Sequence, residues 1–112
     1  MEETIKFNTK IAKEFIEKIS FSGRYTLYIF SKSLENKIAF DRQNLPKKFQ
    51  ILDDYFYGFL VACYGMQILD FNFKEKIITP LSMNDFINEE IIKYFSDLQD
   101  NERKKAIDEY FS

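Results

Sequence analysis

One stretch constrains the fold of this chain more than any other, residues 53–65, which read DDYFYGFLVACYG. Asp53 and Asp54 open it, where the N-terminus of a helix favours negative charge. Gly65 closes it, at the position where a left-handed residue usually ends a helix. Because the residues between are apolar on almost every side, the pattern predicts a helix at 53–64 that is buried on most faces and organises the fold. Gly58 inside this helix predicts the close approach of another backbone, because glycine there costs about 1 kcal/mol relative to alanine.

Length and composition predict one folded domain at 1–112, because 112 residues can bury a sizeable core. Thirteen Phe and seven Tyr make aromatic residues 18% of the chain. Two interpretations of this content stay open. The rings can fill a Phe-rich core, since each buried ring removes much apolar area from water. They can also form an exposed surface that binds a protein partner.

The N-terminal half predicts two strands that follow a helix. Thr4 to Phe7 alternates apolar and polar residues and predicts a short strand, and Thr9 to Ile19 has the period of an amphipathic helix. Arg24 to Ser31 (RYTLYIFS) has high β-propensity and apolar residues on both faces, which predicts a central strand. Lys37 to Asp41 follows closely, and the short link predicts an antiparallel hairpin with that strand.

The C-terminal half predicts two more strands and then a helix. Met66 to Phe73 and Lys76 to Thr79 alternate as strands, and Pro80 is expected to end the second. Ser82 to Asp85 resembles a capping box, with Leu81 and Phe86 in the positions of a hydrophobic staple, which predicts a helix at 83–98.

A last helix at 102–112 can dock on the domain, exchange onto a neighbouring copy, or fray. The fold class is therefore α+β, with mixed α/β as the variant: four or five short strands against three or four helices.

The sequence lacks the residue types that most catalytic mechanisms need. The chain has no histidine, one cysteine (Cys63) and three glycines, which excludes histidine-based triads and nucleotide-binding glycine loops. We therefore predict no catalytic residue, no metal site and no cofactor. An enzyme that uses carboxylates and Mg²⁺ is the remaining catalytic alternative, because oxygen ligands suit this ion. Its candidate residues are Asp41, Asp53, Asp54 and Asp70.

Charge and hydropathy narrow the classes of partner. The net charge is −2 and the basic residues form only short clusters such as Lys47-Lys48, so we expect no nucleic-acid partner. The longest apolar stretch has about a dozen residues, short of the roughly 20 that span a bilayer. The charged first residues do not resemble a signal peptide. We expect a cytoplasmic protein without membrane contact.

The segment 37–98 resembles the bacterial STAS-like domain. KIAFD matches a strand that ends in aspartate at Asp41, and after a loop of about ten residues LDDYFYGFL is similar to the family's Leu-Asp-Glu-x-Phe-Gly-x-Leu helix. FNTKIAKEFIEKI looks like the family's leading helix. The resemblance implies a non-catalytic regulatory fold of mixed strands with helices on one side. The serines of the family's phosphorylation switch are replaced by Gln50 and Ile51, so no such switch is expected.

The residues favour a small non-catalytic protein that acts by binding another protein, either a STAS-like regulator or an inhibitor. An anti-defence or immunity-type inhibitor from a phage or mobile element and a structural homo-oligomer, such as a homodimer, stay open beside it. The candidate binding residues are of two kinds, those at the start of the 53–64 helix and the aromatic pair at the end of the chain: Asp53, Asp54, Tyr55, Tyr57, and Tyr110 with Phe111.

Overall fold

The structure is a computed structural model that describes residues 9–41, 45–49, 53–98 and 101–112. These ranges hold five α-helices, a short 3₁₀ helix and an antiparallel sheet of three strands. In chain order they are α1 (Thr9–Lys18), α2 (Phe21–Asn36), β1 (Phe40–Asp41), the 3₁₀ helix Lys47–Phe49, α3 (Asp53–Gly65), β2 (Leu69–Lys74), β3 (Ile77–Met83), α4 (Asp85–Asp97) and α5 (Glu102–Tyr110).

The α+β class is confirmed, with fewer strands in the described ranges than the four or five predicted. The predicted strand at Thr4–Phe7 lies outside the described residues.

The largest error of the sequence prediction is α2, which replaces the expected central strand at Arg24–Ser31. Ser20 caps this helix, its hydroxyl accepting from the Gly23 amide at 3.2 Å. Every residue from Tyr25 to Ser31 is buried. A segment that is apolar on all sides gives the same sequence pattern as a buried helix and as a buried strand, and here the surrounding packing selects the helix.

α2 is the centre of the domain. It packs against α3, α4, α5 and β3. Its C-terminus is closed by Lys37 in the left-handed conformation (φ 55°), with the amides of Lys37 and Ile38 donating to the carbonyls of Leu34 and Ser33. This is a Schellman motif. It turns the chain into β1, which is two residues long and pairs with β3, so the predicted hairpin with residues 24–31 is wrong.

α3 has the predicted bounds but not the predicted burial. Phe56, Leu60 and Cys63 form one buried stripe, and the opposite side of the helix is exposed. Gly65 is not left-handed; Gln67 (φ 59°) takes that role, with the Ile68 amide donating to the Cys63 carbonyl at 3.0 Å. Among the described residues, no atom of another element lies within 4 Å of the Cβ position of Gly58, so the predicted close approach of another backbone is not found there.

The sheet has the order β1-β3-β2, with β2 and β3 forming a hairpin. Pro80 does not end β3 as predicted. Phe71 pairs with Pro80 while Asp70 pairs with Ser82, which leaves Leu81 unopposed in a bulge. β1 pairs with β3 only at Ile77 and Ile78, so Pro80 lies in a part of the strand where its missing amide disrupts no ladder to β1.

The amphipathic helices were predicted more closely. α1 ends one residue before the predicted boundary, and α4 and α5 lie at the predicted positions. Asn84, not Ser82, caps α4, its side chain accepting from the Ile87 amide at 3.1 Å. The predicted staple is absent because Leu81 lies in β3 with 53% of its surface exposed. α5 packs on its own domain, with Ala106 and Ile107 buried, and its exchange onto a neighbouring copy stays an open alternative.

Candidate protein-binding surface

From Tyr55 to Gly65 the exposed side of α3 is apolar and uncharged, and the exposed Asp54 precedes it. Tyr55, Val61 and Tyr64 are 38%, 43% and 48% exposed, and Gly58, Ala62 and Gly65 are exposed beside them. We call these six residues the α3 surface. No charged residue occurs between Tyr55 and Gly65. A helix of a monomeric protein normally presents polar residues to water on its outer side, so this surface is unusual.

The rings at the start of this surface are held by packing. Tyr55 stacks on Phe59 with ring centroids 5.9 Å apart and an interplanar angle of 11°. Phe59 in turn contacts Phe15 of α1, also at 5.9 Å, and lies over Gly23 of α2. A Cβ atom at Gly23 would come within 3.1 Å of the Phe59 ring, so the absence of a side chain there makes room for Phe59. The orientation of Tyr55 is therefore fixed by the core.

The opposite flank of α3 is supported by β2. Tyr64 makes an edge-to-face contact with Phe71 at 6.0 Å, and Tyr57 packs on Phe73 at 4.7 Å. Because Phe73 is 38% exposed, the apolar surface continues from the helix onto the hairpin. Ring pairs of this kind hold side chains in one orientation and reduce the entropy that binding would remove.

An apolar groove lies on the α1 side of this region. It is lined by Ile11, Phe15, Ile19 and Met66, with Glu14 and Lys18 also in its wall, and has a volume of about 410 Å³. The three α1 side chains repeat at four-residue steps and therefore form one ridge. We call this the α1 groove. The contact between Phe15 and Phe59 connects it to α3.

The structure separates the candidate residues that the sequence predicted. Asp54 is exposed at the start of α3, one residue before Tyr55, and the side chain of Asp53 is not described. Tyr57 is half-buried against Phe73. Val61 and Tyr64 were missed, although the lack of charge between Tyr55 and Gly65 was a signal for them. The lack of charge in this segment instead led to the prediction of a helix that is buried on most faces.

The terminal pair Tyr110 and Phe111 is used inside the chain. Tyr110 makes an edge-to-face contact with Phe49 at 5.4 Å and stacks on Phe40 at 6.2 Å. Phe111 meets Phe40 at 90°. Although Tyr110 remains 40% exposed, these rings serve to dock α5 on the domain.

The candidate carboxylates are spread over the sheet and the helix ends. Asp41 pairs across the sheet with Ile77, which pairs with Lys74, whereas Asp70 pairs with Ser82 at the other end of the hairpin. Four residues of strand separate Asp70 from Lys74, a distance of about 13 Å. Among the described residues, no group of three or more acidic, cysteine or histidine side chains could hold a metal ion.

Cys63 is fully buried in the inner stripe of α3. Burial raises the pKa of its thiol to about 12, so the protonated form dominates at neutral pH. The thiolate is the reactive form of cysteine. The side chain therefore acts as a small apolar residue of the core, in agreement with its position in the apolar stretch.

A polar cluster joins α5 to α2. The hydroxyl of Tyr28 donates to Asp108 Oδ1 at 2.6 Å, and Lys104 Nζ donates to Asp108 Oδ2 at 2.9 Å. Partial burial opposes ionisation of Asp108, but the Tyr28 and Lys104 hydrogen bonds and the charges of Lys104 and Lys32 outweigh it and lower its pKa. Burial, followed by the hydrogen bond to Asp108, raises the pKa of Tyr28. The cluster lines a cleft of about 490 Å³, and its hydrogen bonds hold α5 in place.

The hydroxyl of Tyr25, on the same helix, has no hydrogen-bond partner in the described part of the chain, although the residue is only 1% exposed. Burial raises its pKa to about 12, and the charge of Arg103, whose guanidinium lies 5.4 Å from the ring centroid, acts in the opposite direction.

Comparison with known proteins found no similar protein. No protein-family model, no curated protein and no solved structure matches the chain. In the described ranges, no helix has both the length and the apolar character needed to cross a bilayer.

Proposed function

We propose that this chain is a non-catalytic protein that acts by binding another protein through the α3 surface. The observation that supports this most strongly is a fully uncharged helical segment, Tyr55 to Gly65, with Tyr55, Val61 and Tyr64 exposed to solvent. Contiguous exposed apolar surface bounded by polar residues is typical of protein interaction sites. Tyrosine is also one of the residues enriched at such sites.

The free energy of hydration supports the same function. Apolar surface that leaves water gains roughly 25 cal/mol per Å². A surface helix could satisfy the fold with lysine or glutamate at positions 58, 61 and 62, which would cost nothing in the core. The chain instead has Gly58, Val61 and Ala62 there. If a partner covers these positions, the small and apolar residues contribute to the free energy of binding because their surface leaves water.

The test is a matched pair of variants used as bait in a pull-down from host lysate. Val61→Lys places a charge in the centre of the α3 surface, and Leu81→Lys places the same charge on an apolar residue of β3 that is somewhat more exposed (53% against 43%). Wild type and Leu81→Lys are expected to retain the same partner protein in a stoichiometric amount, and Val61→Lys is expected to lose it. Equal retention by all three baits contradicts the proposal, and so does retention by none if the pure chain also keeps its monomer mass at every concentration.

The narrower versions remain predictions. A STAS-like regulator would use the segment 37–98, and the order of β1 ending in Asp41, then α3, then β2 is the feature that supports it. An inhibitor of phage or mobile-element origin would use the same α3 surface against a different class of target. The identity of the retained protein distinguishes these two versions.

A further inference from the structure

We propose that the partner of the α3 surface is a second copy of this chain, packed antiparallel about a two-fold axis. This inference rests on the proposed function, because it uses the same surface and names its occupant. In the proposed dimer α3 lies on α3 of the other copy, and α1 lies on α1. The axis passes beside α3 between Gly58 and Ala62, and beside α1 between Glu14 and Lys18.

The sizes of the side chains on α3 fit this arrangement. An interface with two-fold symmetry is self-complementary, so a residue i that contacts j implies that j contacts i. With the axis between Gly58 and Ala62, Gly58 of one copy opposes Ala62 of the other. The same register places Tyr55 against Gly65 of the other copy. Small residues thus meet at the crossing point, where the backbones come closest, and a large ring meets a glycine away from it.

The electrostatics of the surface fit a second copy better than a charged partner. Each copy has a net charge of −2, but the segment from Tyr55 to Gly65 at the centre of the α3 contact has no charge, so no ion has to be desolvated there. Antiparallel helices also place opposite ends of their dipoles side by side.

The α1 groove adds a reciprocal charge pattern. Glu14 and Lys18 line the groove, and both are exposed. A two-fold axis between them brings Glu14 of each copy next to Lys18 of the other. An axis that passed through Glu14 or Lys18 itself would bring two like charges together, so the charges of the groove fit an axis that passes between these residues.

The size of the surface sets the expected affinity. α3 has thirteen residues and is therefore about 20 Å long. Two neighbouring helices form a layer about 20 Å wide, so the footprint is on the order of 400 Å². Specific interfaces usually bury about 800 Å² of accessible surface per partner. We therefore expect a dimer that dissociates at micromolar concentrations.

The experiment measures molecular mass by light scattering from about 1 to 200 µM, a range that brackets a micromolar equilibrium. Wild type is expected to move from the monomer mass of 13.5 kDa towards twice that value. Gly58→Leu fills space that is open within the chain, so it should fold and remain monomeric. Lys93→Leu, which adds the same side chain to an exposed position of α4, is the control and should dimerise as wild type does.

Charge reversal tests the register. Glu14→Lys and Lys18→Glu are each expected to weaken dimerisation about tenfold, because each replaces two attractive contacts by two repulsive ones. The double variant should recover wild-type affinity to within about threefold, since the pairs are restored with reversed sign. In a mixture of the two single variants, the heterodimer has opposite charges facing each other on both sides of the axis, so it is expected to associate to within about threefold of wild type. Recovery in the double variant cannot arise from a misfolded single variant.

Two results overturn the inference. One is the monomer mass at every concentration, and the other is a dimer whose affinity does not change with Gly58→Leu. If the chain stays monomeric while Val61→Lys still loses a different protein in the pull-down, the proposed function stands and only the second copy is rejected. If Val61→Lys changes neither capture nor mass, both proposals fail.

Discussion

α2 and α3 are both rich in tyrosine and phenylalanine, yet they occupy opposite environments. α2 carries the charged residues Arg24, Lys32 and Glu35 and is the most buried helix of the domain. α3 carries no charge after Asp54 and leaves one whole side in water. Apolar content therefore does not determine burial in this fold. Polar groups inside α2 are mostly satisfied: Thr26 donates to the Ser22 carbonyl and Ser33 to the Ile38 carbonyl, and Ser31 donates to Asn88 of α4.

The two helices differ in what covers their apolar side chains. In α2 the interior of the chain itself covers them, because the helix touches elements on all sides. In α3 the outer side chains of Tyr55, Val61 and Tyr64 stay 38–48% exposed, so the interior of the chain does not account for their apolar character, whereas the proposed partner does. Variants in the two helices should therefore differ in their effect on stability.

Truncation of equivalent apolar residues should give the largest difference. Leu27→Ala in α2 removes a side chain with no exposed surface and should cost about 2–5 kcal/mol in the free energy of unfolding. Val61→Ala in α3 removes a side chain that is 43% exposed and should cost less than about 1 kcal/mol in the monomer. Urea unfolding at a concentration that keeps the protein monomeric measures both. Equal losses would show that the two helices are packed alike.

The two buried tyrosines of α2 should respond to loss of their hydroxyls with opposite signs. Tyr28→Phe removes the hydrogen bond to the Asp108 carboxylate and should cost about 1.5–3 kcal/mol, the range for bonds to charged groups. Tyr25→Phe removes a buried hydroxyl without a partner and should stabilise the fold by about 1 kcal/mol. Thermal unfolding of the two variants beside wild type is the measurement. A loss of stability with Tyr25→Phe would mean that this hydroxyl has a partner.

Glycine replacements should distinguish a crowded position from an open one. Gly58→Ala meets no atom within 4 Å and should raise the free energy of unfolding of the monomer by up to about 1 kcal/mol through helix propensity. Gly23→Ala places its Cβ 3.1 Å from the Phe59 ring, which is confined by Phe15 and Tyr55, so the gain should be cancelled or reversed. If denaturant unfolding shows an equal rise in the free energy of unfolding at both positions, Gly23 is not needed to make room for the Phe59 ring.

The smallest predicted effect concerns acid. The folded state lowers the pKa of Asp108, so ionised Asp108 stabilises the fold above the ordinary aspartate pKa of about 3.9, and this contribution is lost as pH falls below that value. Asp108→Asn should therefore flatten the loss of stability between about pH 5 and 3 relative to wild type. The melting temperature as a function of pH measures it, with Asp54→Asn at an exposed position as the control. A parallel decline of Asp108→Asn and wild type would contradict the Tyr28–Asp108–Lys104 cluster.

Much of the architecture was predictable from the spacing of apolar residues and from the residues that begin and end helices. The bounds of α3 and α5 follow from their sequences, because Asp53 and Glu102 open segments of clear helical pattern. The cap of α4 was displaced by two residues, since Ser82 and Asn84 are both good cap residues and only strand pairing decides between them. Residues 24–31 could not be assigned, because their burial on all sides removes the periodicity that distinguishes helix from strand.

The candidate site was predictable only in part. Tyr55 was identified from its place at the start of α3. Val61 and Tyr64 were missed because a sequence reports that a residue is apolar, and not whether its own chain or another chain covers it. In the structure α2 occupies the interior position that the sequence predicts for α3, and the outer side of α3 is therefore exposed.

The most direct test of the central claim is hydroxyl-radical footprinting of the wild-type chain at low and high micromolar concentration. Tyr55 and Tyr64 report on the α3 surface, and Tyr110, which is 40% exposed on α5, provides the reference in the same sample. The proposed dimer predicts that oxidation of Tyr55 and Tyr64 falls several-fold relative to Tyr110 as concentration rises. Unchanged ratios across the whole range would mean that a second copy of this chain does not cover the α3 surface.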